Sequence, residues 1–228
     1  KCLTRLKAAE PPFCLRCAEP VLAGRPFCAA CWRQGTAVPA GAGRSPLSGG
    51  GGERPHDCRI IRAAFYYRGP VPGLVHAFKY RGRVQAARTS GRWMVEHFTR
   101  FKELGNVDAL APVPLHPRRL CERGYNQAAV LAGELSSATG LPVMDCLERS
   151  RATLQQWGLD KAARRRNLAK AFKSSPAAEG RRLLLIDDVC TSGSSLEECA
   201  RALREAGAAD VCGYVFARQT QSRREAVN

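Results

Sequence analysis

The chain has no apolar run approaching the roughly 20 residues that a membrane-spanning helix needs, so insertion into a membrane is not expected. No secretory pattern stands at its N-terminus. It has no G-x-x-x-x-G-K-[ST] segment, which excludes a Walker-type phosphate loop. No internal repeat is present, which leaves out repeat architectures. Aromatic residues are only 7% of the 228 residues, so few rings are at hand for stacking bases. Tyr66, Tyr67 and Tyr80 are the nearest candidates. Histidine is sparser still, at four residues. His76, His97 and His116 stand singly, and no Ser/His/Asp or Cys/His arrangement suggests itself. Helix packing or a surface position is expected for His76 and His97, whereas His116 lies in a basic stretch that can reach a ligand. Acidic residues are few: 20 Asp and Glu stand against 36 Lys and Arg, for a net charge of +16. Such an excess attracts nucleic acid, nucleotides or anionic surfaces. The alternative is heavy arginine usage with the charge spread over the surface.

Hydrophobic residues are 45% of the chain, which supports a substantial core, and the length suits one α/β domain with a small accessory unit. Eleven cysteines would suggest disulfides in a small secreted protein. Here Cys190, Cys199 and Cys212 fall inside expected core elements, where a reduced thiol acts as a small hydrophobe. A reducing cytoplasm is the expected location. Cys14-x-x-Cys17 and Cys28-x-x-Cys31 form two CxxC pairs. Each pair aims two thiolates at one centre, and together they complete a closed tetrahedral Zn²⁺ site. Four protein ligands make that zinc structural, and its binding would supply the folding energy of a segment too short for its own core. Redox thiols or disulfides are the alternative, and Cys2 and Cys58 are additional thiols without a required role.

The organisation follows. Residues 1–34 read as the zinc-binding unit and residues 35–57, rich in Gly, Ala, Pro and Ser, as a flexible linker. Residues 58–228 read as an α/β domain. Strands are expected at Ile60–Tyr67, Val107–Pro114, Leu183–Asp187 and Val211–Ala217. Helical spacing marks Val71–Tyr80, the face of Met94, Phe98 and Phe101, Gln127–Ser137 closed by Gly140, and a basic helix over Ala162–Phe172. Strands alternating with helices imply a mostly parallel, covered sheet.

The densest chemistry lies between Arg182 and Gly207. The apolar run Leu183–Ile186 stops at Asp187 and Asp188, and the small residues Thr191, Ser192, Gly193, Ser194 and Ser195 follow. Leu196, Cys199, Ala200 and Leu203 then mark one stripe of a helix. Ser194 and Glu197 have capping-box spacing, and Gly207 suits the position after the helix end. Free amides at a helix start, with the helix dipole, make an anion site. Acids beside it suit a ligand that also carries hydroxyls and a metal ion. A capped helix after a buried strand, with solvated acids, is the plain alternative. The G-x-G-x-x-G dinucleotide fingerprint is missing at this loop.

The segment DDVCTSGSS resembles the PRPP motif of type I phosphoribosyltransferases (PRPP is 5-phosphoribosyl-1-pyrophosphate). The resemblance implies that Asp187 and Asp188 contact the ribose and help organise Mg²⁺, carried with PRPP, while Thr191–Ser195 cradle the 5′-phosphate. This chain has Ser192 and Ser195 where the motif usually has Thr. A second stretch, Ala111–Ala128, places His116, Arg118, Arg119, Arg123, Asn126 and Gln127 after an expected strand end. Ligands of open α/β sheets bind beyond such ends, and Arg suits bidentate phosphate binding. Arg118 and Arg119 are therefore assigned to the pyrophosphate side, with a solvated basic loop as the alternative.

Together these stretches are similar to the ComF family of competence-associated proteins. The likeness takes in the CxxC pairs, Phe78-Lys79-Tyr80-Arg81-Gly82, Pro112–Leu115, Arg119, Arg123-Gly124-Tyr125-Asn126-Gln127, Thr153, Gln156, Arg166-Asn167, Phe172 and DDVCTSGSS. It implies a phosphoribosyltransferase-like fold, PRPP as ligand, single-stranded DNA as partner, and a role in DNA uptake beside a helicase or channel. Lys79, Arg83 and Arg123 are the candidates for the hood or for nucleic acid. The alternative is a phosphoribosyltransferase of base metabolism, its acceptor unnamed, with no DNA role.

Overall fold

Four parallel strands carry the domain in a computed structural model that describes residues 57–69, 71–80, 83–150 and 171–219. The strands are β1 (Ile61–Tyr66), β2 (Ala109–Pro112), β5 (Arg182–Cys190) and β6 (Asp210–Arg218), in the order β1-β6-β5-β2. Two short strands, β3 (Leu147–Arg149) and β4 (Phe172–Ser174), form a separate antiparallel ribbon. The helices are α1 (Val71–Tyr80), α2 (Val84–Phe98), α3 (Pro117–Arg123), α4 (Gln127–Thr139) and α5 (Ser194–Glu205).

Strand alternation sorts the core into two halves. Leu183, Leu185, Val211 and Val215 pack on the α5 side with Leu196, Cys199 and Leu203, and the ribbon's Leu147 and Phe172 join them. Leu184, Ile186, Tyr214 and Phe216 face the other way, onto Phe78, Met94, Leu131 and Leu135 of α1, α2 and α4. Both faces are covered, so the strands read as continuous apolar runs, as parallel strands do. The α2–α4 crossing is close: a Cβ on Gly91 would lie 2.8 Å from Cβ and Cγ of Glu134.

Several expectations hold. The α/β class and parallel sheet are as expected, Gly140 closes α4 with φ 75°, and Gly207 follows α5 with φ 89°. Other readings are corrected. The strand expected to stop at the acids runs through them to Cys190, because β6 keeps pairing with β5 as far as Arg218. Gly193, not Ser194, is the N-cap of α5, with φ 79° and no side-chain cap; Glu197 instead accepts a hydrogen bond from the Cys58 amide at 3.1 Å. Phe101 lies beyond the end of α2 and packs its ring against Tyr214. Phe172 opens a strand instead of closing a helix, paired with Arg149. The basic stretch at Arg118 and Arg119 is helical. Pro117 at the first turn suits a helix start, and Gly124 at φ 76° ends it.

Candidate functional site

The site begins where the sheet loses a neighbour. The β2–β5 ladder ends at Pro112↔Ile186, while the β5–β6 ladder continues to Cys190↔Arg218. Asp187 and Asp188 therefore sit in a notch at the carboxyl end of β5, the end where open α/β sheets take ligands. Being adjacent on a strand, they diverge. Asp188 meets Lys79 of α1, whose Nζ lies 2.8 Å from its Oδ1. Asp187 turns toward α5 and the ribbon, where it feels Arg149 and adds to the burial that pushes up the Cys199 thiol. The Asp188 amide donates to Asp187 Oδ1 at 2.8 Å.

Burial and the neighbouring Asp188 push the Asp187 carboxyl up to about 7, against the opposing pull of Lys79 and Arg149. Burial disfavours the Lys79 ammonium, yet the carboxylates of Asp188 and Asp187 outweigh it and hold its pKa above the usual lysine value. The two effects belong to one arrangement: two partly desolvated acids share one built-in cation.

Lys79 is held in place by the Arg123–Gln127 stretch. Tyr125 Oη donates to the carbonyl of Phe78 at 2.5 Å, and Gln127 Nε2 donates to it at 3.5 Å. Arg123 donates to Gln127 Oε1 at 3.0 Å. Asn126 caps α4 by accepting from the Ala128 amide at 3.0 Å, and its Nδ2 donates to the Val113 carbonyl at 3.1 Å. This stretch thus ties the end of α1 to the end of β2 across the notch.

Beyond the acids, Thr191, Ser192 and Gly193 lead into α5. Ser192 and Ser194 hydroxyls lie 2.9 Å apart. The positive φ of Gly193 turns the chain so that the first amides of α5 follow within a few residues of the acids. Arg218 ends β6 beside this turn and donates to Cys190 Sγ at 2.5 Å.

The other sequence candidates are spread more widely. Burial lowers the Arg149 pKa, and the half-buried Arg119 is close enough to lower it further. Arg118 is exposed and pairs with Glu122 at 3.1 Å. Arg83 is exposed just before α2. His116 caps α3, its Nδ1 accepting from the Arg118 amide at 3.3 Å. His97 packs on Phe65 with 4.7 Å between ring centroids, as expected of a helix-packing histidine. Cys58 is a buried thiol. Cys2, the zinc cysteines Cys14, Cys17, Cys28 and Cys31, the linker up to residue 56, and Thr153, Gln156, Arg166 and Asn167 lie outside the described residues.

Sequence reasoning passed over Arg149 and Tyr125 as site residues. Arg149 ends a three-residue strand whose pairing is visible only in the fold. The signal for Tyr125 was its place between Gly124, which closes α3, and Asn126, which caps α4.

Mg²⁺ prefers hard oxygen ligands in octahedral array. The notch offers two carboxylates, and among the described residues no cluster of three or more His, Cys, Asp or Glu is present. The donors fit Mg²⁺ in kind and fall short in number, so a Mg²⁺ held there would need ligand and water oxygens to complete its shell.

The parallel sheet with an acidic notch and a glycine-started helix beyond it defines a protein of the phosphoribosyltransferase type, and residues 126–228 match the phosphoribosyl transferase domain family. The chain is 34% identical over 160 residues to Competence protein F of Haemophilus influenzae, covering 67% of this chain and 70% of that protein. It is 30% identical over 214 residues to DNA utilization protein YhgH of Salmonella typhi, covering 92% of each. To Competence protein ComFC of Streptococcus pneumoniae it is 27% identical over 157 residues, covering 69% of this chain and 67% of that one. The chain belongs to the ComF family of phosphoribosyltransferase-like proteins. Among the described residues no helix is long and apolar enough to cross a membrane.

Proposed function

We propose that this protein binds PRPP with Mg²⁺ in the β5 notch and handles single-stranded DNA in DNA uptake or utilisation. The observation that carries the first part is the adjacency of Asp187 and Asp188 to the Gly193-started α5. The amides opening α5, with the hydroxyls of Thr191, Ser192, Ser194 and Ser195, take the 5′-phosphate. Asp188 accepts from the ribose hydroxyls, and Lys79 holds that carboxylate in place. Arg149 and Arg119, on the Asp187 side, face the pyrophosphate. Asp187 and Asp188 would hold Mg²⁺ jointly with ligand oxygens, and bound Mg²⁺ supplies Lewis-acid stabilisation of the leaving group. In turnover, an acceptor nucleophile bonds to the ribose carbon as the C–O bond to pyrophosphate breaks. Pyrophosphate leaves with the electron pair, and Arg149, Arg119 and Lys79 stabilise the developing charge.

Calorimetric titration of the full chain with PRPP and Mg²⁺ tests this. Wild type should bind, and the double variant Asp187→Asn/Asp188→Asn should not. A wild type that takes up no PRPP, or binding that survives the double substitution, overturns the reading. The DNA role draws on the names of the relatives and on the +16 charge. Affinity for a single-stranded oligonucleotide should fall steeply with salt. No binding at low salt, together with pyrophosphate release on adding a free base, would instead favour an enzyme of base metabolism.

A further inference from the structure

The α5 loop offers a 5′-phosphate neutral donors, a few residues from two carboxylates that repel it. The neighbouring strand carries a cation to the same place. β6 is buried from Val211 onward and bears no further charge until its last residue, Arg218. The ladder sets Arg218 opposite Cys190, the residue that ends β5 and precedes the loop. Paired residues of neighbouring strands lie on one face of a sheet, and Cys190 packs on the face that carries α5. The Arg218 guanidinium reaches the base of the loop, where its Nη1 donates to Cys190 Sγ at 2.5 Å. The Gly193 amide donates to the same sulfur, and a Cβ on Gly193 would lie 3.8 Å from it. One sulfur atom therefore joins the cation to the turn that opens α5. The Gln219 amide donates to the Cys190 carbonyl at 2.9 Å, which ties the two strand ends together where the loop begins.

Burial pushes the Cys190 thiol up, against the pull of Arg218 and of the Gly193 amide. The sulfur is thus a neutral thiol, which spaces the guanidinium from the loop without cancelling its charge. Arginine keeps its proton in such a setting, and a fixed cation adds an attraction proportional to the charge of what binds beside it. We infer that Arg218 is the specificity-determining cation of the 5′-phosphate subsite, and that from behind the Gly193 turn it makes the loop select a dianionic phosphoryl group over a singly charged or neutral substituent. It offsets there the repulsion of Asp187 and Asp188, whose own cation, Lys79, is engaged at Asp188. The inference rests on the ribose–phosphate placement proposed above.

Ribose 5-phosphate and ribose 5-sulfate share a shape and, at about pH 8, differ in charge, the phosphate being a dianion and the sulfate a monoanion. Their binding to the full chain is measured by NMR titration for wild type, Arg218→Gln and Arg218→Lys, each checked for folding by circular dichroism. Arg218→Gln should lose about tenfold more affinity for the phosphate than for the sulfate, since the lost attraction scales with ligand charge. Arg218→Lys should stay within about threefold of wild type for both, because Arg218 supplies charge through a spacer and not a bidentate contact. An equal loss for the two esters marks a structural role alone and overturns the inference, as does no loss. Should Arg218→Gln not fold, wild type decides. Its Arg218 Nε–H resonance, assigned with Arg218→Lys, should move on adding ribose 5-phosphate and stay in place on adding ribose; an unmoved resonance overturns the assignment. If wild type binds neither ester, the ribose–phosphate placement has failed and the role of Arg218 falls with it. Binding by wild type with unchanged discrimination in Arg218→Gln removes Arg218 alone and leaves that placement standing.

Discussion

Gly193 and Gly207 stand at opposite ends of α5, both with positive φ, at 79° and 89°. Alanine in that conformation costs about 1–2 kcal/mol. At Gly193 a Cβ would meet only Ile61 Cδ1 at 3.7 Å and Cys190 Sγ at 3.8 Å, ordinary contacts that add nothing. At Gly207 it would meet Glu179 Cγ at 3.1 Å, which a flexible side chain relieves by a small shift. Gly207→Ala should therefore destabilise the fold by about 1–2 kcal/mol, read from denaturant unfolding, and Gly193→Ala by less, because its strain relaxes in the free protein. Their effects on ligand should part. At Gly193 the strain is relieved by rotating the amides that open α5 away from the ligand. The same 1–2 kcal/mol then appears as about a tenfold loss of PRPP affinity by calorimetry. Gly207 is remote from the notch, so its variant should bind as wild type does once folded. Equal weakening in both variants, or full affinity in Gly193→Ala, refutes the argument that the conformation of Gly193 aims the phosphate-binding amides.

Three other outcomes are expected. Gly91→Ala should destabilise by about 1–3 kcal/mol through overpacking at the α2–α4 crossing, and adding Glu134→Ala should recover most of the loss in thermal unfolding. Burial and the nearby Arg100 lower the His97 pKa, so below about pH 6.5 the unfolded chain binds more protons and stability falls as pH falls. His97→Phe, which keeps the packing on Phe65, should flatten that slope just below about pH 6.5 in urea melts. Metal analysis of the purified chain should find one zinc, lost in Cys14→Ser/Cys17→Ser; a full complement in that variant would sink the four-cysteine site.

Much of the fold was legible because it depends on local periodicity. The stripe Leu196, Cys199, Ala200 and Leu203 announced α5, Gly140 and Gly207 announced helix ends, and the run at Leu183 announced a covered strand. The misreadings have local signals that pointed two ways. Ser194 and Glu197 have capping-box spacing, but Gly193 supplies the turn and Glu197 is engaged by the Cys58 amide, far away in the chain but on the same face of the sheet. The basic stretch looked like a loop because its charges hid Pro117 and Gly124, the start and stop of α3.

By itself the sequence determined that an acid pair precedes a small-residue loop and a helix, since all three lie within one short segment. Lys79 was legible only as a basic residue of the stretch Phe78–Gly82, a candidate for the hood or for nucleic acid. The tertiary structure decided that it meets Asp188, that Asp187 turns instead toward Arg149, and that Tyr80 stands open beside them under Arg123. The reason is physical. Local patterns report which way each residue faces along its own element, whereas the pairing of charges and rings between elements depends on strand order and on where one ladder ends before the next.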